Sequence, residues 1–233
     1  MLTLAIVSPG EPEIFASVQG EGRSAGLLCT FVRLSRCNLA CTWCDTAYTW
    51  RFTDYDRKTN QIVLSEADTA ARITAMGGER LVITGGEPLL QGAALARMAA
   101  LLSGHRIEIE TNGTVAPPAA LDPLVAQYNV SPKLKHSGNA AEIALLSERL
   151  TAWSNEPKAQ FKFVISAPED LPEVLALQQT YAIPAERIQL MPEGTTSAAI
   201  RARTAWLAPL ALDHGLGFSD RLHIHLYGDT RGT

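Results

Sequence analysis

Apolar residues along this chain gather in short runs, separated by stretches where they recur every three or four positions. Six runs read as strands: Leu28–Leu34, Leu81–Thr84, Arg106–Glu110, Tyr128–Val130, Gln160–Ile165 and Ile188–Met191. Several are nearly continuous in apolar residues, the pattern of strands buried on both faces of a parallel sheet. Ser65, followed by Glu66 and Asp68, opens a helix that runs to Met76 and stops at Gly77-Gly78. Further helices are expected at Gly92–Leu102, Ala140–Trp153, Glu169–Gln179 and Ala198–Asp213, with Gly104 and Gly215 where helix ends need them. This α/β alternation predicts a parallel sheet with right-handed crossovers. An incomplete barrel and a flat doubly wound sheet both satisfy the pattern. The last run, Arg221–Tyr227, alternates: Leu222, Ile224 and Leu226 fall on one side, His223, His225 and Tyr227 on the other. It is expected to be a C-terminal strand, half-buried or lining a cavity.

The 233 residues show no repeat, no low-complexity tract and no linker, so a single domain over 1–233 is expected. The length falls a little short of the ~250 residues of a complete (β/α)8 barrel. A hydrophobic share of 46% excludes a largely disordered chain. Twenty Lys and Arg against 24 Asp and Glu give a formal charge of −4, which argues against a broad nucleic-acid or acidic-membrane surface. No apolar run is long enough to span a membrane. The opening segment, with its early Pro-Gly and no leading Lys or Arg, does not read as a secretory signal, so a cytoplasmic protein is expected. In that compartment the four cysteines are ligands or free thiols rather than disulfides.

Three of those cysteines form Cys37-Asn-Leu-Ala-Cys41-Thr-Trp-Cys44, directly after the first strand of the six. A loop in that place lies at the C-terminal end of its strand, where parallel α/β folds build active sites. A structural zinc site wants a fourth Cys or His, usually from a second paired motif, and no second CxxC exists. Three thiolates on a four-iron cluster leave one iron open to a small molecule. The competing readings are a zinc site completed by a distant His, or three unrelated thiols. Cys29, inside the strand, reads as a core residue. After the next strand comes Thr84-Gly85-Gly86-Glu87-Pro88, whose glycines allow close backbone approach to a ligand.

With these two motifs the chain resembles the radical S-adenosylmethionine superfamily. That resemblance implies a [4Fe–4S] cluster on Cys37, Cys41 and Cys44, and S-adenosylmethionine as the source of a hydrogen-abstracting radical. It implies the fold of an incomplete (β/α)6 barrel. Further segments narrow it: Val18-Gln19-Gly20-Glu21-Gly22, Asp45-Thr46 next to the cysteine loop, Glu110-Thr111-Asn112-Gly113, Ser131-Pro132-Lys133, Met191-Pro192-Glu193 and the closing Tyr227-to-Thr233 stretch. From about residue 13 onward the chain resembles the 7-carboxy-7-deazaguanine synthase family. That family converts 6-carboxy-5,6,7,8-tetrahydropterin by radical ring contraction with loss of ammonia, aided by Mg²⁺, as a homodimer supplied with electrons by a protein such as flavodoxin.

The resemblance assigns substrate contacts to Val18, Gln19, Gly20, Glu21, Arg33, Thr84, His225 and the terminal Thr233. It assigns cofactor contacts to Gly86, Glu87, Glu110, Ser131, Pro132, Lys133, Met191, Pro192 and Glu193, and Mg²⁺ to Thr46. Chemistry supports several of these. The Gln19 amide suits a pterin edge, Arg33 a carboxylate, and the Thr46 hydroxyl a hard cation that keeps its waters. Other readings stay open: a structural ion pair for Arg33, a solvated loop lysine for Lys133, and a metal pair or plain polar face for His223 and His225. Two other functions compete, a glycyl-radical-enzyme activase and a metal-binding module without catalysis.

Overall fold

A computed structural model describes residues 1–233. In chain order the strands are β1 Leu2–Ser8, β2 Glu11–Pro12, β3 Ile14–Val18, β4 Leu28–Leu34, β5 Gln61–Leu64, β6 Arg80–Gly85, β7 Arg106–Thr111, β8 Val125–Val130, β9 Ala159–Ile165, β10 Ile188–Pro192 and β11 Gly217–Phe218. The helices are α1 Arg57–Asn60, α2 Glu66–Ala75, α3 Gly92–Ala99, α4 Ala141–Ala144, α5 Ser147–Asn155, α6 Leu171–Tyr181, α7 Ser197–Asp213 and α8 Leu222–Tyr227.

All strands share one sheet in the order β11-β10-β9-β8-β7-β6-β4-β1-β2, with β3 also on β4 and β5 on β1. The six expected strands are β4 and β6–β10, and every neighbouring pair among them is parallel. The sheet does not close on itself, so the architecture is an open six-stranded α/β barrel. Antiparallel strands β1, β3 and β5 extend the β4 side. The periodicity reading missed these three strands. Between β7 and β8 the chain crosses without an α-helix, making one short 3-10 turn at Asp122–Leu124.

Two expected elements differ. The helix foreseen over Ala140–Trp153 is broken, because Leu145 and Leu146 leave helical backbone and separate α4 from α5. The break lets Ala144 pack against Leu39 and Cys41 of the cysteine loop. The C-terminal strand expected at Arg221–Tyr227 is instead helix α8. The place beside β10 is taken by the short strand β11, through Leu190↔Phe218. The Leu222 amide donates instead to Gly20 O at 2.9 Å. A six-residue run fits period 2 and period 3.6 almost equally well, so the alternation carried little information.

One continuous core of 38 buried residues holds the sheet to its helices. Strand alternation divides labour within it. In β7, Ile107 and Ile109 join the core while Glu108 and Glu110 point the other way. In β9, Phe161 and Phe163 are core and Lys162 lies between them on the opposite face. The concave side of the barrel is therefore polar and charged, which a packed core does not tolerate unless each group is paired.

A candidate active site on the concave face

A cavity of about 910 Å³ opens on that face. It lies at the upper end of the range for small-molecule sites, with room for more than one ligand. Its walls come from the C-terminal ends of the parallel strands, the β3–β4 turn, the cysteine loop and the chain's last residues.

Cys37, Cys41 and Cys44 all line this cavity. Burial pushes the free Cys37 thiol up to about 11 and raises Cys41 as well, a shift that Lys133 opposes at both sulfurs. A metal cluster would supply the positive charge that keeps such sulfurs deprotonated. Each sulfur also meets a side-chain nitrogen: Trp50 Nε1 at 3.3 Å from Cys44, Asn139 Nδ2 at 3.2 Å from Cys41, and Asn112 Nδ2 at 4.0 Å from Cys37. Three sulfur donors on one wall, each faced by an N–H group, fit a cluster held by thiolates. Trp43, from the same loop, lines the cavity, and its buried Nε1 has no protein partner.

The Gly85-Gly86 pair is fixed by the fold itself. A Cβ on Gly86 would lie 2.0 Å from Arg36 O, and one on Gly85, at φ +129°, 2.0 Å from Leu34 O. Gly86 N donates to Leu34 O and Glu87 N to Arg36 O, so β6 is knitted to the root of the cysteine loop. Gly86 and Thr84 line the cavity. Glu87 does not. It is fully buried, and its carboxylate accepts from Leu89 N, Thr111 Oγ1 and Asn112 N. Its side chain clamps the Gly-Gly turn to the end of β7 and does not line the cavity. Pro132 is likewise buried away from the cavity, whereas Ser131 and Lys133 line it, joined by a 2.8 Å hydrogen bond from Lys133 Nζ. Met191, Pro192 and Glu193 form the adjoining wall.

The opposite wall carries Val18, Gln19, Gly20, Glu21 and Arg33. Arg33 Nε donates to Glu13 Oε1 at 2.7 Å, and Tyr48 Oη donates to the same carboxylate. An ion pair is thus present. The two Nη groups have no protein acceptor, and the side chain still faces the cavity. Burial alone would lower the guanidinium's proton affinity; Glu13 and Tyr48 outweigh it and raise it.

Two charged residues of this wall escaped the sequence reading. Lys162 Nζ sits 2.5 Å from Glu21 Oε2 and 2.8 Å from Glu110 Oε2. Arg221 Nε donates to Glu21 Oε1 at 2.9 Å, and its Nη groups reach Gly194 O and Asp45. Burial would raise the Glu21 carboxyl, but Lys162 and Arg221 overcome it and hold it well below the usual carboxylate range. Glu110 also accepts from Gln19 Nε2 and Asn129 Nδ2, which fixes the orientation of the Gln19 amide. The signal available was Lys162 itself, a lone charge between two phenylalanines in a strand.

Helix α8 reverses the ranking of the two histidines. Residues two apart in a helix face opposite sides. His223 lines the cavity, 3.9 Å from Glu21 Oε1, while His225 turns away to Ser197 Oγ at 2.6 Å and Asp220 Oδ1 at 3.2 Å. The imidazole that lines the cavity is therefore that of His223, not the His225 ring expected from the sequence. Thr233 lines the cavity, and the tail is held by the Arg231 guanidinium 3.5 Å above the Tyr48 ring. Thr46 lines it too, its hydroxyl 3.7 Å from Cys44 Sγ.

The segment 32–133 matches the radical SAM superfamily. The chain is 38% identical to the 7-carboxy-7-deazaguanine synthase of Pyrobaculum aerophilum over 224 residues, covering 94% of this chain and 95% of that one. It is 36% identical to the enzyme of the same name from Halobacterium salinarum, covering 95% and 91%. The crystal structure of QueE from Escherichia coli superposes with a TM-score of 0.67 at 26% identity, covering 95% of each chain. With near-complete coverage in both directions and the cysteine, Gly-Gly and Gln-Gly-Glu segments on one cavity, the chain belongs to the 7-carboxy-7-deazaguanine synthase family of radical S-adenosylmethionine enzymes.

Proposed function

We propose that this chain, a single domain over residues 1–233, converts 6-carboxy-5,6,7,8-tetrahydropterin to 7-carboxy-7-deazaguanine with loss of ammonia. The observation that carries the reading is the meeting of two walls on one cavity: the cysteine loop on one side, and Gln19, Glu21 and Arg33 on the other.

When bound, the [4Fe–4S] cluster and S-adenosylmethionine supply the radical that abstracts hydrogen from the substrate. The chain's residues bind and orient. Cys37, Cys41 and Cys44 hold the cluster. Gly86, Ser131, Lys133 and the Met191–Glu193 wall receive S-adenosylmethionine, with the Lys133 ammonium set toward its carboxylate. The Arg33 Nη groups take the substrate carboxylate as a bidentate pair. Gln19, locked by Glu110, and Glu21, kept ionised by Lys162 and Arg221, read the polar edge of the pterin. His223, Thr84 and Thr233 complete that pocket. Thr46 is the protein oxygen for Mg²⁺, a cation content with one or two protein ligands and several waters. Electrons come from a small redox protein such as flavodoxin, the working form is a homodimer, and the setting is the cytoplasm.

The test is anaerobic reconstitution with iron and sulfide, then incubation with the carboxytetrahydropterin, S-adenosylmethionine, Mg²⁺ and reductant. The expected product is 7-carboxy-7-deazaguanine, with no turnover after Cys→Ala substitution at any of the three positions. A fully loaded protein that forms no deazaguanine would overturn the reading in favour of another small radical enzyme.

A further inference from the structure

The N–H groups that meet the cysteine sulfurs come from outside the CxxxCxxC motif. Trp50 Nε1 donates to Cys44 Sγ at 3.3 Å, and Asn139 Nδ2 to Cys41 Sγ at 3.2 Å. An indole nitrogen only donates, so the first direction is fixed by chemistry. The second is fixed by its neighbours. The Ala40 amide donates to Asn139 Oδ1 at 2.9 Å, which leaves Nδ2 to face the sulfur and Ser137 Oγ. Asn112 is oriented in the same way by Thr114, but its Nδ2 stands 4.0 Å from Cys37 Sγ and bonds Asn38 Oδ1 at 3.0 Å. It therefore contributes least.

We propose that Trp50 and Asn139 are positioning residues that set the reduction potential of the [4Fe–4S] cluster through hydrogen bonds to Cys44 and Cys41. The inference rests on the cluster assignment above. An added electron spreads negative charge onto the cluster and its thiolate sulfurs. An N–H dipole aimed at such a sulfur stabilises the reduced form more than the oxidised one, and so raises the potential. Both donors are held in place independently of the sulfur. The Arg51 guanidinium covers the Trp50 ring at 4.9 Å, and Asn139 is pinned by Ala40 and Ser137. The donors thus tie the cysteine loop to two other stretches, the one leading to α1 and the one between β8 and α4.

The experiment is an electron paramagnetic resonance redox titration of the full-length, reconstituted protein, compared with Trp50→Phe, Asn139→Ala and the double variant. Trp50→Phe keeps an aromatic ring and removes only the donor. Iron and sulfide contents are expected to stay at four each per chain, as for any such cluster. The midpoint is expected to move negative in both single variants. In the double variant the reduced-to-oxidised ratio at the wild-type midpoint should fall about tenfold, a shift of roughly 59 mV for one electron. Where Asn139→Ala fails to load, Asn139→Asp replaces the donor with an acceptor and should shift the midpoint the same way. Fully loaded variants with an unmoved or more positive midpoint overturn the proposal. Wild-type protein that takes up no four-iron cluster overturns the cluster assignment instead, so the two failures are distinct.

Discussion

Lys162 places its ammonium 2.5 Å from Glu21 Oε2, across 141 residues of sequence. Burial alone would lower the lysine's proton affinity; Glu110 and Glu21 outweigh it and raise it, so the cluster of charges is stable as ions. Removing the lysine leaves two largely covered carboxylates short of a partner. Lys162→Met should therefore cost about 3–5 kcal/mol, read by denaturant unfolding. The pH dependence has a definite sign. Because the Glu21 carboxyl is depressed, its contribution is fully present above the ordinary carboxylate range and is lost as pH falls through the depressed value. Lys162→Met should move that acid limb to higher pH. An acid limb at the wild-type position would show that Lys162 does not govern Glu21.

Arg33 serves two partners, and its variants should separate them. Arg33→Ala strands the buried Glu13 with only Tyr48, so stability should fall by about 3–5 kcal/mol and KM for the carboxypterin should rise. Pairing Arg33→Ala with Glu13→Gln removes the stranded charge. The double variant should recover most of the lost thermal stability while its KM stays high. If KM recovers along with the melting temperature, Arg33 does not bind substrate.

His223 and His225 should give opposite phenotypes. His225→Ala loses bonds to Ser197 and Asp220, which should cost about 1 kcal/mol while leaving KM within about twofold. His223→Ala should raise KM with little loss of stability. Burial lowers the His223 imidazole against the opposing pull of Glu21, so this ring stays neutral in the fold. Its contribution is present above the ordinary imidazole value and fades as pH falls, because the unfolded chain takes up the proton first. Imidazole resonances followed by NMR should show one histidine titrating below that value, and this resonance should vanish in His223→Ala.

Gly20 has no room for a side chain. A Cβ there would sit 2.0 Å from His223 Nδ1 and 2.8 Å from the His223 backbone nitrogen. Gly20→Ala must displace α8 and should cost about 1–3 kcal/mol. It should also raise KM by disturbing His223 and Arg221 together. Retention of wild-type KM would mean that α8 adjusts without consequence for the pocket.

The parallel half of the fold was legible because its strands are apolar runs between helical stretches. The antiparallel flank was not. Strand β3 reads Ile-Phe-Ala-Ser-Val and holds its place by pairing Phe15 with Phe31 of β4, a relation invisible along the chain. The cysteines and the Gly-Gly pair announced themselves by spacing. Lys162, Arg221 and Asn139 did not, because each acquires its meaning from a residue that the fold alone brings near. Glu87 shows the converse: a motif residue whose side chain serves the scaffold.

Arg221 reaches back 176 residues to Asp45, the neighbour of Cys44. During synthesis the cysteine loop therefore emerges roughly 10–35 s before the arginine that ties it to Glu21, at about 5–20 residues per second. For that interval the thiols are on hand while their cavity lacks a wall. Closure of the cavity therefore waits on the docking of α8, the last helix of the chain.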